Sequence, residues 1–202
     1  MTSIRKRGKE LESAILEAAY EICQTSGYQE MTFQNVAKKA STSRTVLYRQ
    51  YGTQLNLLHE MAHYRISQVF GVPTILELIK DRGSLRADLL NMVNLYHQFM
   101  VDIGAEILGT VLQELSRQPD SLREISVHAH EVNTHFMQKI QDFAKKRGEI
   151  TSDFTTLQIQ LPFNLMRYEF IIQGGNLTES WLTSFVDEVL LPIYLNNTGS
   201  SR

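Results

Sequence analysis

The chain has 202 residues, of which 43% are hydrophobic and 21% charged, and a formal net charge of −2. That length holds one or two helical domains around a sizeable core, and Gly and Pro are sparse at 11 and four, as helices rather than many short strands require. No apolar run approaches the roughly 20 residues of a membrane span, and Arg5-Lys6-Arg7 leads into no apolar segment, so neither an anchor nor a secretory signal is expected and the chain reads as cytoplasmic. The single Cys23 has no intrachain disulfide partner and reads as a small buried residue rather than a redox sensor. The Asn-x-Thr matches at Asn176 and Asn196 then read as chance.

In chain order, Ile15, Ala18, Ala19 and Ile22 recur at helical spacing and predict a first amphipathic helix, stopped by Gly27 with Tyr28 folding back. Thr32 is placed to cap a second helix whose Phe33, Val36, Ala37 and Ala40 face inward. Ser41-Thr42-Ser43 predicts a turn, and Thr42 or Ser43 caps a third, short helix held by Leu47 and Tyr51. Its other side carries Arg44, Thr45, Tyr48 and Arg49, chemistry suited to base edges and phosphates. Two short helices joined by a tight turn and braced by a longer one predict a helix-turn-helix unit.

Gly52 ends that unit and Thr53 caps a fourth helix with Leu57, Leu58, Met61 and Val69 on its apolar side, ended by Gly71 and Pro73. Ser84 caps a fifth with Leu85, Leu89, Met92, Val93, Tyr96 and Met100 inward. Ile107, Leu108, Val111, Leu112 and Leu115 predict a sixth, closed by Pro119. Asp120 opens a long seventh, with Leu122, Ile125, Ala129, Val132, Phe136, Ile140 and Phe143 at regular helical spacing. Its terminal Lys145-Lys146-Arg147 suits the negative end of a helix dipole and needs no partner. From about Asp153 to Gln173 apolar residues fall on nearly every side, so this eighth helix must be covered twice. Thr178 caps a last helix with Leu182, Phe185, Val186, Val189, Leu190 and Ile193 on one face.

The text Ile15-Leu16-x-Ala18-Ala19, Gly27-Tyr28, Thr32, Val36-Ala37, Ala40, Ser43, Leu47-Tyr48, Tyr51 and Leu57-Leu58 resembles the TetR family of transcriptional repressors, without a gap. Two positions depart from it. Ser41 stands where the family usually has the turn glycine, and Gln54 where a lysine is common, so a charged phosphate contact becomes a neutral one. The resemblance implies an all-α fold of about nine helices, with a helix-turn-helix DNA-binding domain and basic arm over residues 1–52 and a helical effector-binding and dimerisation domain over 53–202. It also implies a homodimer through the last two helices. Two recognition helices about 34 Å apart would then match one turn of a palindromic operator.

Charge is divided in the same sense. Residues 1–52 carry eight Lys/Arg against five Glu, a net +3, and the remainder holds 12 basic and 17 acidic residues, a net −5. A basic reading end on an acidic body suits double-stranded DNA as partner. The DNA-binding candidates are Thr32, Gln34, Arg44, Thr45, Val46, Tyr48, Arg49, Gln50 and Gln54. Arg44 is expected to read a guanine, with Thr45 and Val46 on base edges or a thymine methyl and Gln34 reaching in from the preceding helix. Tyr48, Arg49 and Gln50 are expected on phosphates, and Thr32 and Gln54 at phosphate-favouring helix N-termini.

For the effector, a small molecule of unspecified identity, the lining candidates are Tyr96, His97, Met100, His128, Phe136, Arg167 and Tyr168. Aromatic and Met side chains suit an adaptable apolar pocket, and His or Arg orients a polar group. Arg167 could equally pair with Glu169 or Asp187. One motif points elsewhere: His59-Glu60-x-x-His63 matches the zinc-protease signature. A hydrolase needs a third ligand, for which Glu77 is the candidate across Gly71 and Pro73, and the solvated helix face is the simpler reading. No cofactor and no enzyme activity are expected. The remaining alternative is an adaptor whose helix-turn-helix has lost DNA and whose C-terminal surface recruits a protein.

Overall fold

The computed structural model describes residues 8–72, 74–117 and 123–196, and among them every regular element is helical. The helices are α1 (Lys9–Ser26), α2 (Phe33–Lys39), α3 (Arg44–Tyr51), α4 (Gln54–Phe70), α5 (Leu85–Ile103), α6 (Ala105–Arg117), α7 (Arg123–Lys146), α8 (Thr156–Ile172), α9 (Glu179–Ser184) and α10 (Leu191–Leu195). A π-helical turn, Phe185–Leu190, joins α9 to α10 without a break, so the pair is one rod and the expected nine helices are all present. Short 3₁₀ turns at Tyr28–Glu30 and Ile75–Leu78 were not foreseen. Arg5–Arg7, Pro73, Pro119, Asp120 and Leu122 lie outside the described residues, as do the side chains of Leu115, Ile125 and His128.

Hydroxyl caps set most of the helix starts. The side chains of Thr32, Ser43, Thr53, Ser84 and Thr178 each accept from the N–H three residues on, satisfying a donor that has no partner within the helix. Thr155 adds a full capping box with Gln158, which moves the start of α8 to Thr156. Pro162 inside α8 withholds the N–H that the Gln158 carbonyl would accept four residues back. The buried Tyr194 hydroxyl donates to that carbonyl instead, at 2.9 Å, and locks α10 onto α8.

The core has two clusters. One joins the inner faces of α1, α2 and α3 with Leu57, Leu58 and Met61 of α4, and takes in Ile103 and Ile107. The other is built from α5, α7, α8 and the last rod around Phe136, Phe163, Phe170 and Tyr194. Phe99 and Leu108 pack against both, so the two cores are continuous. Cys23 is buried in the first, and burial pushes its thiol up to about 12, which leaves it inert. Leu112 and Ala129, members of the apolar periods of α6 and α7, are exposed.

The basic end of α7 has partners, contrary to expectation. Arg147 reaches the carboxylates of Asp81, Asp88 (2.6 Å) and Glu149, and Lys145 binds Asp153. Asp88 is 1% exposed and also accepts from the Arg82 N–H at 2.7 Å, while Glu149 accepts from the Leu85 N–H at 2.8 Å. The guanidinium thus neutralises a buried carboxylate at the start of α5, a tertiary demand stronger than the dipole. Arg147→Ala strands that carboxylate and should cost roughly 3 kcal/mol in urea unfolding, whereas Asp81→Ala, at a half-exposed partner, should cost under about 1 kcal/mol. Equal losses would mean that the buried pair is not the determinant.

Between α2 and α3, Ser41 has φ 55° and is the one non-glycine residue in the left-handed region among those described. The turn keeps the geometry that a glycine would adopt freely, with the Thr42 N–H bonded to the Ala37 carbonyl at 2.9 Å. Ser41→Gly should therefore stabilise the chain by about 0.5–1 kcal/mol, roughly 2–3 °C in a thermal melt. A lowered midpoint would show that Ser41 earns its place through its side chain.

Candidate nucleic-acid interface

Helix α3 is short because Ser43 caps its start and Gly52, at φ 73°, turns the chain at its end. Only two of its side chains are buried, Leu47 and Tyr51, and they seat it on α1, α2 and α4. Their spacing leaves Arg44, Thr45, Tyr48, Arg49 and Gln50 exposed on the other side, with Val46 half-buried between. Tyr48 is 59% exposed yet not loose, because its ring stands edge-on to Phe33 with centroids 4.7 Å apart. Gln34 is exposed on α2 beside this face, and Thr32 is occupied in capping.

Gln54 is the first residue of α4, directly after the Thr53 cap. Its side-chain amide donates to the Met31 carbonyl at 3.0 Å, so the group serves to fix the start of α4 against the loop before α2. Lys39 pairs with Glu21 at 2.6 Å and pins the end of α2 to α1. Among the described residues, the cations that α3 itself presents are Arg44 and Arg49, which offer directed donors.

What holds this unit to the body is a polar node that sequence reasoning missed. Arg65 of α4 makes a bidentate contact with Asp102 of α5, at 3.0 and 2.8 Å, with both side chains about 15% exposed. The guanidinium lies 3.9 Å from the centroid of the Tyr20 ring on α1, and the Tyr20 hydroxyl donates to Asp102 at 3.3 Å. Gln24 donates to the Asp102 and Ile103 carbonyls. Residues 20, 65 and 102 share no linear motif, so no local signal could have found them.

The six expected pocket residues whose side chains are described are spread over α5, α7 and α8. Tyr96, Met100 and Phe136 are buried in the body's core, Tyr96 edge-on to Phe163. Arg167 donates to the Tyr96 hydroxyl at 3.3 Å, and within the chain Asp187 is held by Arg86 at 2.6 Å. His97 is half-buried near Phe170, its Nε2 has no hydrogen-bond partner among the described residues, and burial lowers its pKa. Tyr168 faces out, 59% exposed. It shares with Arg167, Leu112, Asn164, Ile171 and Ile172 an open hollow of about 200 Å³ between α6 and α8. A second hollow of about 470 Å³ runs along α7 past His130, Glu131 and His135.

On α4 the imidazoles of His59 and His63 do share a face, with Nε2 atoms 3.1 Å apart. Glu77 is not brought to them, and among the described residues no group of three or more His, Cys, Asp or Glu could hold a metal ion. No described helix is long and apolar enough to cross a membrane.

Comparison with known proteins places this geometry. The family model described as "Bacterial regulatory proteins, tetR family" matches residues 15–61, and that described as "Tetracyclin repressor-like, C-terminal domain" matches residues 79–189. An uncharacterized HTH-type transcriptional regulator of Mycobacterium bovis is 28% identical over 193 residues, covering 93% of this chain and 90% of its own. The fold is shared with FadR of Bacillus subtilis, solved in complex with stearoyl-CoA, at a TM-score of 0.66 and 17% identity over 91% of this chain and 97% of that one. It is shared also with the fatty acid degradation regulator FadR of Bacillus halodurans, at 0.64 and 14% over 93% and 100%. The family is one of DNA-binding regulators and not of enzymes, so the zinc-protease match on α4 marks no hydrolase. The chain belongs to the TetR family of helix-turn-helix transcriptional regulators.

Proposed function

We propose that this regulator is a homodimeric repressor that grips a palindromic operator through α3 and releases it when a small molecule binds the body. The observation that carries the reading is the construction of α3: two buried anchors, and every remaining side chain polar or half-exposed. On that face Arg44 reads a guanine, Thr45 and Val46 touch neighbouring base edges, and Gln34 adds a contact from α2. Tyr48, Arg49 and Gln50 position the helix on phosphates, and Thr32 and Gln54 bring the N-termini of α2 and α4 to the same backbone. In this reading residues 1–52 are the reading head and 53–202 the body.

The dimer rests on the outer side of α8. Phe163, Met166 and Phe170 are buried in the chain's own core, yet Leu157, Tyr168 and Ile172 are 84%, 59% and 63% exposed, and Leu195, at the end of the rod that packs on α8, is 43% exposed. So much apolar surface on one face calls for a cover, and a second copy supplies it symmetrically. The effector is supported by the His97 Nε2 and the Arg167 guanidinium, polar handles within an otherwise apolar layer. A fold neighbour, FadR of Bacillus subtilis, was solved in complex with stearoyl-CoA, which supports an amphipathic small molecule as the effector class. An effector acts by binding the released state better than the DNA-bound one.

Arg44→Ala should lose roughly 1–3 kcal/mol on the preferred operator in a gel-shift titration and relax base preference at one position per half-site. Equal weakening on every sequence would move Arg44 to the phosphate backbone. Ile172→Asp should shift the chain from dimer to monomer in light scattering with its helical circular dichroism unchanged. A dimer that persists would place the interface elsewhere.

A further inference from the structure

We propose that His59 and His63 form a two-imidazole site on α4 for a divalent transition-metal ion of the copper, nickel and zinc type. The residues lie four apart on one helix and so occupy the same face one above the other. Their Nε2 atoms are 3.1 Å apart, with the rings at 84° and centroids separated by 4.5 Å. An ion placed 2.0–2.1 Å from both nitrogens, the usual imidazole distance, would subtend about 100° between them, within the range of four- to six-coordinate sites. The nitrogens are thus already at the separation that neighbouring ligands of one ion require.

Two further features favour the nitrogens concerned. Glu60 Oε1 lies 3.8 Å from His59 Nδ1, on the far side of the ring, where a carboxylate favours the proton on Nδ1 and leaves the Nε2 lone pair for a metal. The opposite side of the helix is fixed by Leu57, Leu58 and Met61, all buried, so the backbone carrying both ligands is ordered before an ion arrives. Without the ion, one Nε2–H donates to the other ring, and an ion bound between the two nitrogens replaces that contact as the proton moves to Nδ1.

Imidazole nitrogens select the later transition metals, in the order copper above nickel and zinc, and reject calcium and magnesium, which take oxygen ligands. With no third described His, Cys, Asp or Glu at the site, the other positions fall to water or an outside ligand, and the ion is exchangeable. A bound ion would staple one turn of α4 just ahead of Arg65, the residue that ties this helix to Asp102.

Copper(II), nickel(II) and zinc(II) are titrated separately into the full-length, metal-stripped chain against glycine as a weak competitor. Copper is followed by its visible absorption and all three by calorimetry. One ion per chain is expected, in that order of affinity, with binding weakened roughly tenfold or more in His59→Ala and in His63→Ala. His130→Ala and His135→Ala should leave it unchanged, and metal should raise the melting midpoint of the parent chain but not of the α4 variants. Binding that survives both α4 substitutions, or no ion bound at micromolar metal, overturns the site. Should an alanine variant fail to fold, His59→Gln and His63→Gln replace it with the same expected loss.

Discussion

The bidentate pair between Arg65 and Asp102 is the contact on which the arrangement of the molecule turns. It joins the helix that follows the reading unit to the end of the helix that runs through the body, and it does so where solvent hardly reaches. Two hydrogen bonds in one plane fix orientation as well as distance, which a cluster of aliphatic contacts does not. The Tyr20 ring against the guanidinium extends the same constraint to α1. Three helices thereby share one charged group, and a shift of α5 must be answered by α1 and α4 together. Ile103 and Ile107 reinforce the link by burying themselves in the cluster of the reading unit.

That constraint gives the proposed release mechanism a physical route. The body's core is close-packed around Tyr96, Phe136 and Phe163, and a ligand entering beside Tyr96 and Arg167 has to move α5 or α8 to make room. Because Asp102 sits near the end of α5, such a movement would be passed to α4 through the pair. The reading helix is held chiefly by the buried Leu47 and Tyr51, with Val46 and the Tyr48–Phe33 contact beside them, so its pose follows that of the helices beneath it.

Much of the fold was legible from local chemistry. Thr32, Ser43, Thr53, Ser84 and Thr178 announce helix starts because a hydroxyl before an apolar period has one favoured use. The polar side of α3 was legible for the same reason: Leu47 and Tyr51 set the phase, and the rest follows from the helical period. On α8 that logic fails. Apolar residues on every side give no phase, so nothing in the spacing tells that Phe170 turns inward while Tyr168, two residues earlier, turns out. Charged partners were illegible throughout. Arg147 looked like a dipole cap and is the counter-ion of the buried Asp88, and Arg167, a candidate for an effector or for an ion pair, binds the Tyr96 hydroxyl. Such pairings are decided by which helices meet, and a linear pattern carries no record of that. Pro162 belongs to the same class, since its cost is met by Tyr194 from the other end of the domain.

The central claim is that two copies of α3 are presented together to successive turns of one face of a duplex. Selection of bound sequences from a random DNA pool by the purified chain tests it most directly. The account predicts an enriched inverted repeat whose half-sites are centred one helical turn apart, about 10–10.5 base pairs, or a small multiple of it. A single unrepeated half-site, direct repeats, or a pool left unenriched would contradict it.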